Sequence, residues 1–280
     1  MGFVLCLALG GCAGTGPHVM VPAAPIAAAT GAALVDPGSF DPPPDGPAPE
    51  APDVVPDGGG AAAPVPRAAG GGGPNGQRPD RRVADIPGSG VGPGDKVVAL
   101  TFDDGPDPIF TPQVLDLLAQ HRAPATFFMI GWEAAASPDL VKRIAGGGNG
   151  VASHTWSHAD LTRQSDAGLR LQVDKTAALL SSLTGSNVTC IRPPQGHVNP
   201  GLVRRLSDRG MTTVLWSSDT RDWTRPGTET IVRRALAGVS PGTIILLHDG
   251  GGDRRQTLEA LPRIIDGIRS QGYRLVPICR

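Results

Sequence analysis

Two adjacent carboxylates, Asp103 and Asp104, end the apolar run Val97-Val98-Ala99-Leu100-Thr101-Phe102 and are followed at once by Gly105-Pro106. The run reads as a buried strand and Gly-Pro as its stop, which puts both acids at a strand's C-terminal edge. Neighbouring side chains on an extended segment point to opposite faces, so the two acids share a centre only if the turn rotates one of them. Carboxylates that share a centre repel unless a cation lies between them. Asp, Gly and Pro are also ordinary turn residues, so the weight of this reading rests on residues further along the chain.

His154 and His158 are spaced i, i+4, which in a helical turn places both imidazoles on one face. With one carboxylate from the first strand they form a set of three protein ligands that leaves room for water. Zinc is the first expectation for such a divalent site, with cobalt, nickel or iron as alternatives. An open position on the ion acidifies a water and polarises a carbonyl oxygen. His248 closes a later apolar run, Thr243 to Leu247, and Asp222-Trp223 lies on the loop before it. One acid for the metal, one as base and a distant His as proton donor make a set for metal-assisted hydrolysis of an acyl group. Arg192 is held just ahead of Pro193-Pro194, which favours a positioned guanidinium over a mobile surface one.

The elements that must present these residues alternate. Apolar runs at 97–102, 125–130, 150–153, 188–191, 212–217, 243–247 and 273–278 read as about seven strands. Between them, 111–121, 138–145, 165–183, 200–209, 228–237 and 256–270 carry helical spacing and Gly or Pro stops. Strand–helix alternation means parallel strands with crossover helices, an α/β fold. Both a closed barrel and an open doubly wound sheet satisfy it. The chemistry-bearing residues come after nearly every strand rather than at one switch point, which favours a distorted barrel of about seven parallel strands.

Composition divides the chain. Residues 13–94 are rich in Pro, Gly and Ala, as in Asp41-Pro42-Pro43-Pro44-Asp45-Gly46-Pro47, and read as a disordered tether. Residues 95–280 are long enough for one sizeable core. The net charge of -1 and the lack of a basic cluster argue against nucleic acid as a partner. Residues 1–12 read as an export segment, although no Lys or Arg precedes the apolar stretch. Cys190 and Cys279 could pair in an oxidising compartment or stand as two buried thiols.

Taken together, Thr101-Phe102-Asp103-Asp104-Gly105, His154-Thr155-Trp156-Ser157-His158, Arg192-Pro193-Pro194-Gln195-Gly196, Asp219-Thr220-Arg221-Asp222-Trp223 and Leu246-Leu247-His248-Asp249 resemble, in order, the motifs of polysaccharide deacetylases of the NodB-homology type, carbohydrate esterase family 4. The resemblance covers nearly all of residues 96–280. It implies a distorted (β/α) barrel and an enzyme that removes N-acetyl groups from a glycan containing GlcNAc or MurNAc, peptidoglycan first. Chitooligosaccharide deacetylase and acetylxylan esterase are the alternatives, and a non-catalytic glycan-binding protein a further one. By motif, Asp103 is the implied base, Asp104, His154 and His158 the ligands, and His248 the acid tuned by Asp222. Arg192 is implied to hold Asp103, the backbone N–H of Gln195 to meet the oxyanion, and Trp223 and Leu246 to pocket the acetyl methyl. Gln195 departs from the Tyr or Phe the family often has, and Gly150 from a frequent Glu. Leu9-Gly10-Gly11-Cys12 resembles a lipobox, which implies a lipidated Cys12, membrane attachment and a place in the cell envelope. A monomer is expected.

Overall fold

The structure is a computed structural model and describes residues 81–280. The export segment, Cys12 and the tether up to residue 80 lie outside the described residues. Residues 81–94, which by composition read as the end of the tether, already belong to the domain. Val83 and Ile86 are buried in the same apolar cluster as Val97 and Ala99, and Arg82 bridges to Thr243. Two apolar side chains in a polar stretch are enough to anchor it, and composition averaged over the stretch conceals them.

The first strand, β1 (Val97–Asp103), is buried at every position and pairs in parallel on both sides. That is why it reads as an unbroken apolar run rather than an alternation. β2 (Thr126–Met129), β3 (Gly150–Ser153), β4 (Cys190–Ile191), β5 (Thr212–Thr213), β6 (Ser218–Asp219) and β7 (Thr243–His248) complete a curled parallel sheet in the order β5-β4-β3-β2-β1-β7-β6. An eighth strand, β8 (Arg274–Leu275), pairs with the start of β1, where Val97 and Val98 are its partners. Helices α1 (Phe110–Gln120), α2 (Gly131–Ala136), α3 (Pro138–Gly146), α4 (Asp166–Leu169), α5 (Lys175–Thr184), α6 (Pro200–Ser207), α7 (Thr228–Leu236) and α8 (Arg255–Ser270) connect the strands. Of these, α2 is not among the helices expected from the sequence. Among the described residues no helix is long and apolar enough to cross a membrane.

Strand parity sorts the core. Val98, Leu100 and Phe102 of β1 join Phe127, Ile245 and Leu247 in the layer beneath the helices, with Leu261, Ile264 and Ile268 of α8. Val97 and Ala99 face the other way, with Phe128, Ala152, Cys190 and Ile244 in the interior of the curl. Continuing each strand by period two, Asp103, His154, Arg192 and His248 fall on that interior face at the strands' C-terminal ends. Register brings them level: Asp103 is directly opposite His248, His154 N–H donates to Met129 C=O, and Arg192 N–H donates to Ser153 C=O.

The expected strand over 212–217 is instead β5 and β6, joined by a crossing at 214–217. Val214 N–H bonds to Ile191 on one side and Ser217 N–H to Ile244 on the other, so this crossing joins the two ends of the sheet. The reason is chemical: the carbonyls of Val214 and Leu215 accept from the Arg192 guanidinium at 3.3 and 3.4 Å rather than from a neighbouring strand. His248 therefore ends the seventh strand, not the sixth.

The chain's end is tied back into the sheet. Cys190 and Cys279 are disulfide-bonded with Cα atoms 5.8 Å apart, and Ile278 exchanges two hydrogen bonds with Thr126 Oγ1. Gly150 opens β3 against this tail: a Cβ there would lie 2.1 Å from Ile278 C=O. Its glycine therefore answers to the C-terminal tail. The disulfide closes a loop of 89 residues, so reduction is expected to cost about 2–4 kcal/mol of stability. Denaturant unfolding with and without reductant measures this, and coincident midpoints would contradict it.

Candidate metal centre and catalytic cavity

Asp103 and Asp104 leave the same strand end in different directions until the turn intervenes. Asp104 has φ 72°, the left-handed region that a non-glycine residue adopts only under constraint, and the Gly105–Pro106 peptide after it is cis. This backbone rotation is what brings the second carboxylate to the centre that the first one borders. Asp104 Oδ1 lies 3.4 Å from Nε2 of both His154 and His158.

The histidine pair is not helical. His154 continues β3, Thr155 has φ 72° and His158 φ 55°, and the two rings meet through a bend with centroids 5.1 Å apart. Gln172 holds that bend. Its Oε1 accepts from the N–H groups of Trp156 and Ser157 at 3.0 Å each, and its Nε2 donates to Ser157 Oγ at 2.8 Å. Gln172 sits in a π-helical turn, Arg170–Asp174, between α4 and α5, where the wider turn re-aims a side chain inward. No sequence signal marks Gln172, because 165–183 has the spacing of one ordinary helix.

Three observations test whether a cation fits. One ligand atom from each of Asp104, His154 and His158 lies within 4.8 Å of the others. Asp104 Oδ1 is buried and has no hydrogen-bond partner. His154 Nδ1–H donates to Arg192 C=O at 2.7 Å, which fixes the tautomer and turns the Nε2 lone pair toward the other two ligands. Burial opposes charge on Asp104, yet the adjacent imidazoles hold its carboxyl well below the usual range. Burial likewise opposes a proton on His154, but Asp103 and Asp104 raise its pKa. The centre is built to hold positive charge, and the residues fit a divalent metal ion.

Asp103 is held from the other side. Arg192, fully buried, donates from Nη1 to Asp103 Oδ1 at 2.6 Å and to Thr101 Oγ1 at 2.9 Å, and its guanidinium stacks 3.9 Å from the Phe128 ring centre. Asp103 Oδ2 remains 3.8 Å from His154 Nε2, facing the centre. Across the cavity, His248 Nδ1 bonds Asp222 Oδ1 at 2.7 Å, leaving Nε2 as the nitrogen free for chemistry. Asp222 is itself buried, and its Oδ2 accepts from His248 N–H and Thr257 Oγ1. Burial pushes the His248 pKa down, but the Asp222 hydrogen bond and charge outweigh it and raise the pKa above the ordinary imidazole value.

Asp103, Asp104, His154, His158 and His248 open on one cavity of about 480 Å³, with Arg192 and Asp222 buried behind it. Leu246, buried, and Trp223, half exposed, line it, and so does Gln195, in a left-handed turn with φ 57°. Trp216, Asp219 and Arg254 line it as well. Sequence pattern alone makes Trp216 the end of a strand. It faces the cavity because the 214–217 crossing turns it there, and Gly196 packs so closely on its ring that a Cβ would come within 2.8 Å. Arg254 is nearly buried and clasps the carbonyls of Gly250 and Gly251. Asp249, next to His248, is fully buried. Burial, together with Asp104 and Asp103 nearby, pushes its pKa up to about 7 despite the Thr111 hydrogen bond.

The Asp104–His154–His158 cluster, the Asp103 carboxylate held by Arg192 and the His248 imidazole backed by Asp222 gather at the C-terminal mouth of a curled parallel sheet, an arrangement suited to hydrolysis of an acyl group. A family model described as polysaccharide deacetylase matches residues 90–214. A peptidoglycan-N-acetylglucosamine deacetylase of Bacillus cereus is 42% identical over 186 residues, 66% of this chain and 87% of that protein. A chitooligosaccharide deacetylase of Sinorhizobium fredii is 42% identical over 199 residues, 67% of this chain and 92% of that protein. The crystal structure of the Bc1960 peptidoglycan N-acetylglucosamine deacetylase superposes with a TM-score of 0.64 at 38% identity, covering 67% of this chain and 88% of its own. The chain belongs to the polysaccharide deacetylase family, carbohydrate esterase family 4, whose deacetylases are metal-dependent hydrolases of N-acetyl amides.

Because Arg192 and Asp103 are both buried, removing one strands the other. Arg192→Ala is expected to destabilise the fold by about 3–5 kcal/mol, read as a lowered denaturant midpoint. A variant as stable as wild type would show that the pair does not hold the interior together.

Proposed function

We propose that this chain is an exported, zinc-dependent deacetylase that removes the N-acetyl group from GlcNAc units of cell-wall peptidoglycan. The observation that carries the reading is the convergence of the Asp104–His154–His158 cluster with Asp103 and His248 on one cavity. Zinc suits a site of two imidazoles and one carboxylate. The peptidoglycan assignment is supported by the Bacillus cereus relative and the superposed structure, and a chitooligosaccharide is the alternative supported by the Sinorhizobium relative. Export is supported by the lipobox-like Leu9-Gly10-Gly11-Cys12, which would anchor the tether to a membrane, and by the Cys190–Cys279 bond, which suits an oxidising compartment. One chain supplies every group, so a monomer is a complete enzyme.

A divalent cation held by Asp104, His154 and His158 supplies a Lewis acid for the acyl oxygen and makes water acidic enough to deprotonate near neutral pH. Asp103 Oδ2 takes the proton of the attacking water, its other oxygen being fixed by Arg192. The backbone N–H of Gln195 donates to the oxygen that becomes negative as the carbonyl carbon turns tetrahedral. His248, protonated at Nε2 and backed by Asp222, gives its proton to the departing amine. Leu246 and Trp223 form the apolar wall for the acetyl methyl.

Acetate release from N-acetylated peptidoglycan and from chitooligosaccharides tests the proposal. Release is expected to stop with chelator, return with zinc, and be faster on peptidoglycan, whereas release from chitooligosaccharides alone would reassign the substrate. Asp103→Asn is expected to lower turnover by about 10²–10⁴ while zinc stays bound. Loss of zinc in that variant would mean that the two acids have exchanged roles.

The acid must be protonated to act, so the rate falls as pH rises through the His248 pKa. Asp222 raises that pKa, and Asp222→Asn is therefore expected to move the alkaline limb of the pH–rate profile to lower pH. An unmoved limb would take His248 out of the acid role.

A further inference from the structure

Aspartate tolerates the left-handed region, but at Asp104 (φ 72°) the buried Oδ1 makes no hydrogen bond to fix it there, so the conformation is set by what packs around it. The neighbouring strand end supplies that packing. Asp249 and Gly250, the two residues after the catalytic imidazole, are pressed against the peptide between Asp104 and Gly105. A Cβ on Gly250 would lie 2.2 Å from Asp104 C=O, and a Cβ on Gly105 would lie 2.4 Å from the Asp249 carboxyl. The first contact is backbone against backbone, and the second is against a carboxyl that is fully buried and hydrogen-bonded. Asp249 N–H also donates to Asp103 C=O at 3.1 Å.

The Asp249 side chain extends this contact into the loop after β1. Thr111 Oγ1 donates to Asp249 Oδ2 at 2.6 Å and accepts from Asp107 N–H at 2.7 Å. Asp107 in turn caps the start of α1, its Oδ1 accepting from Ile109 N–H at 2.7 Å and Phe110 N–H at 2.8 Å. Asp103 through Thr111 is thereby fixed at both ends, by β1 on one side and by the buried Asp249 carboxyl on the other. Neither Asp249 nor Thr111 supplies a ligand atom of the metal centre.

We propose that Asp249, acting through Thr111, is a positioning residue that holds the Asp104 turn in its left-handed conformation and so aims Asp104 Oδ1 at the two imidazoles. This inference rests on the Asp104–His154–His158 metal centre. Asp249 acts on the ligand through the backbone of the turn, as an outer partner that sets the affinity of a site without joining it.

Calorimetric titration of zinc into the metal-stripped full chain tests this. Zinc binding in wild type that is lost in His154→Ala establishes the centre, whereas no binding in wild type overturns the metal-centre reading and this inference with it. Given the centre, Asp249→Ala and Thr111→Val are expected to weaken zinc binding about tenfold or more. Asp249→Asn, which keeps an oxygen to accept from Thr111, is expected to stay within a few-fold of wild type. Thr111→Val is nearly isosteric and decides the matter if Asp249→Ala does not fold. Wild-type zinc affinity in Thr111→Val overturns the proposal, and so does a lowered melting temperature in either variant with affinity unchanged.

Discussion

A guanidinium without access to solvent must find its partners inside the protein, and the arrangement of this domain depends on how Arg192 finds them. Its donors reach Thr101 and Asp103 on β1 and the carbonyls of Val214 and Leu215 on the crossing segment. Strands that are not neighbours in the sheet are thereby joined through the interior. The two carbonyls leave the sheet's hydrogen-bond ladder to do this, and the sheet is joined end to end by a short crossing instead of a paired strand. The same bonds fix the Asp103 carboxylate, so the crossing between the ends of the curled sheet and the orientation of that carboxylate are one interaction.

Charge at the mouth of the barrel is arranged in matched sets. Asp103 answers Arg192, Asp222 answers His248, and Asp104 faces two imidazoles with one oxygen left unsatisfied. Asp249, with no cation of its own, is the carboxyl whose pKa rises. The imidazoles beside Asp104 and Asp222 hold those carboxyls below the usual range while burial lifts that of Asp249, so neighbouring acids differ in state because their neighbours differ.

Backbone conformation is the other resource of the site. Asp104, Thr155, His158, Gln195 and Arg221 all have positive φ, and all lie on the loops that form the metal centre and the rim of the cavity. Straight strand ends would send alternate side chains to opposite faces. These residues turn ligands and donors inward, and they are held so by packing from outside: Gln172 beneath the histidine bend, Asp249 and Gly250 against the carboxylate turn, Trp216 against Gly196.

By itself the sequence determined the elements and the chemistry. Runs such as Val97 to Phe102 and Thr243 to Leu247 are apolar because both of their faces are buried, and Asp, His and Arg stand at their ends because that is where parallel strands deliver side chains to a shared mouth. Period and residue type are local properties, so they can be read from the chain. What tertiary structure decided is what depends on residues far apart: that the run from 212 breaks into β5 and, past a crossing, β6, because Arg192 takes the crossing's carbonyls; that the histidines meet through a bend, because Gln172 holds it; that Val83 and Ile86 join the core; and that Cys190 pairs with Cys279. Asp103 and Asp104 show the division most clearly. Their types announce a shared centre, but their adjacency in a strand would separate them, and only the strand end that packs against the turn after Asp104 brings the second carboxylate round.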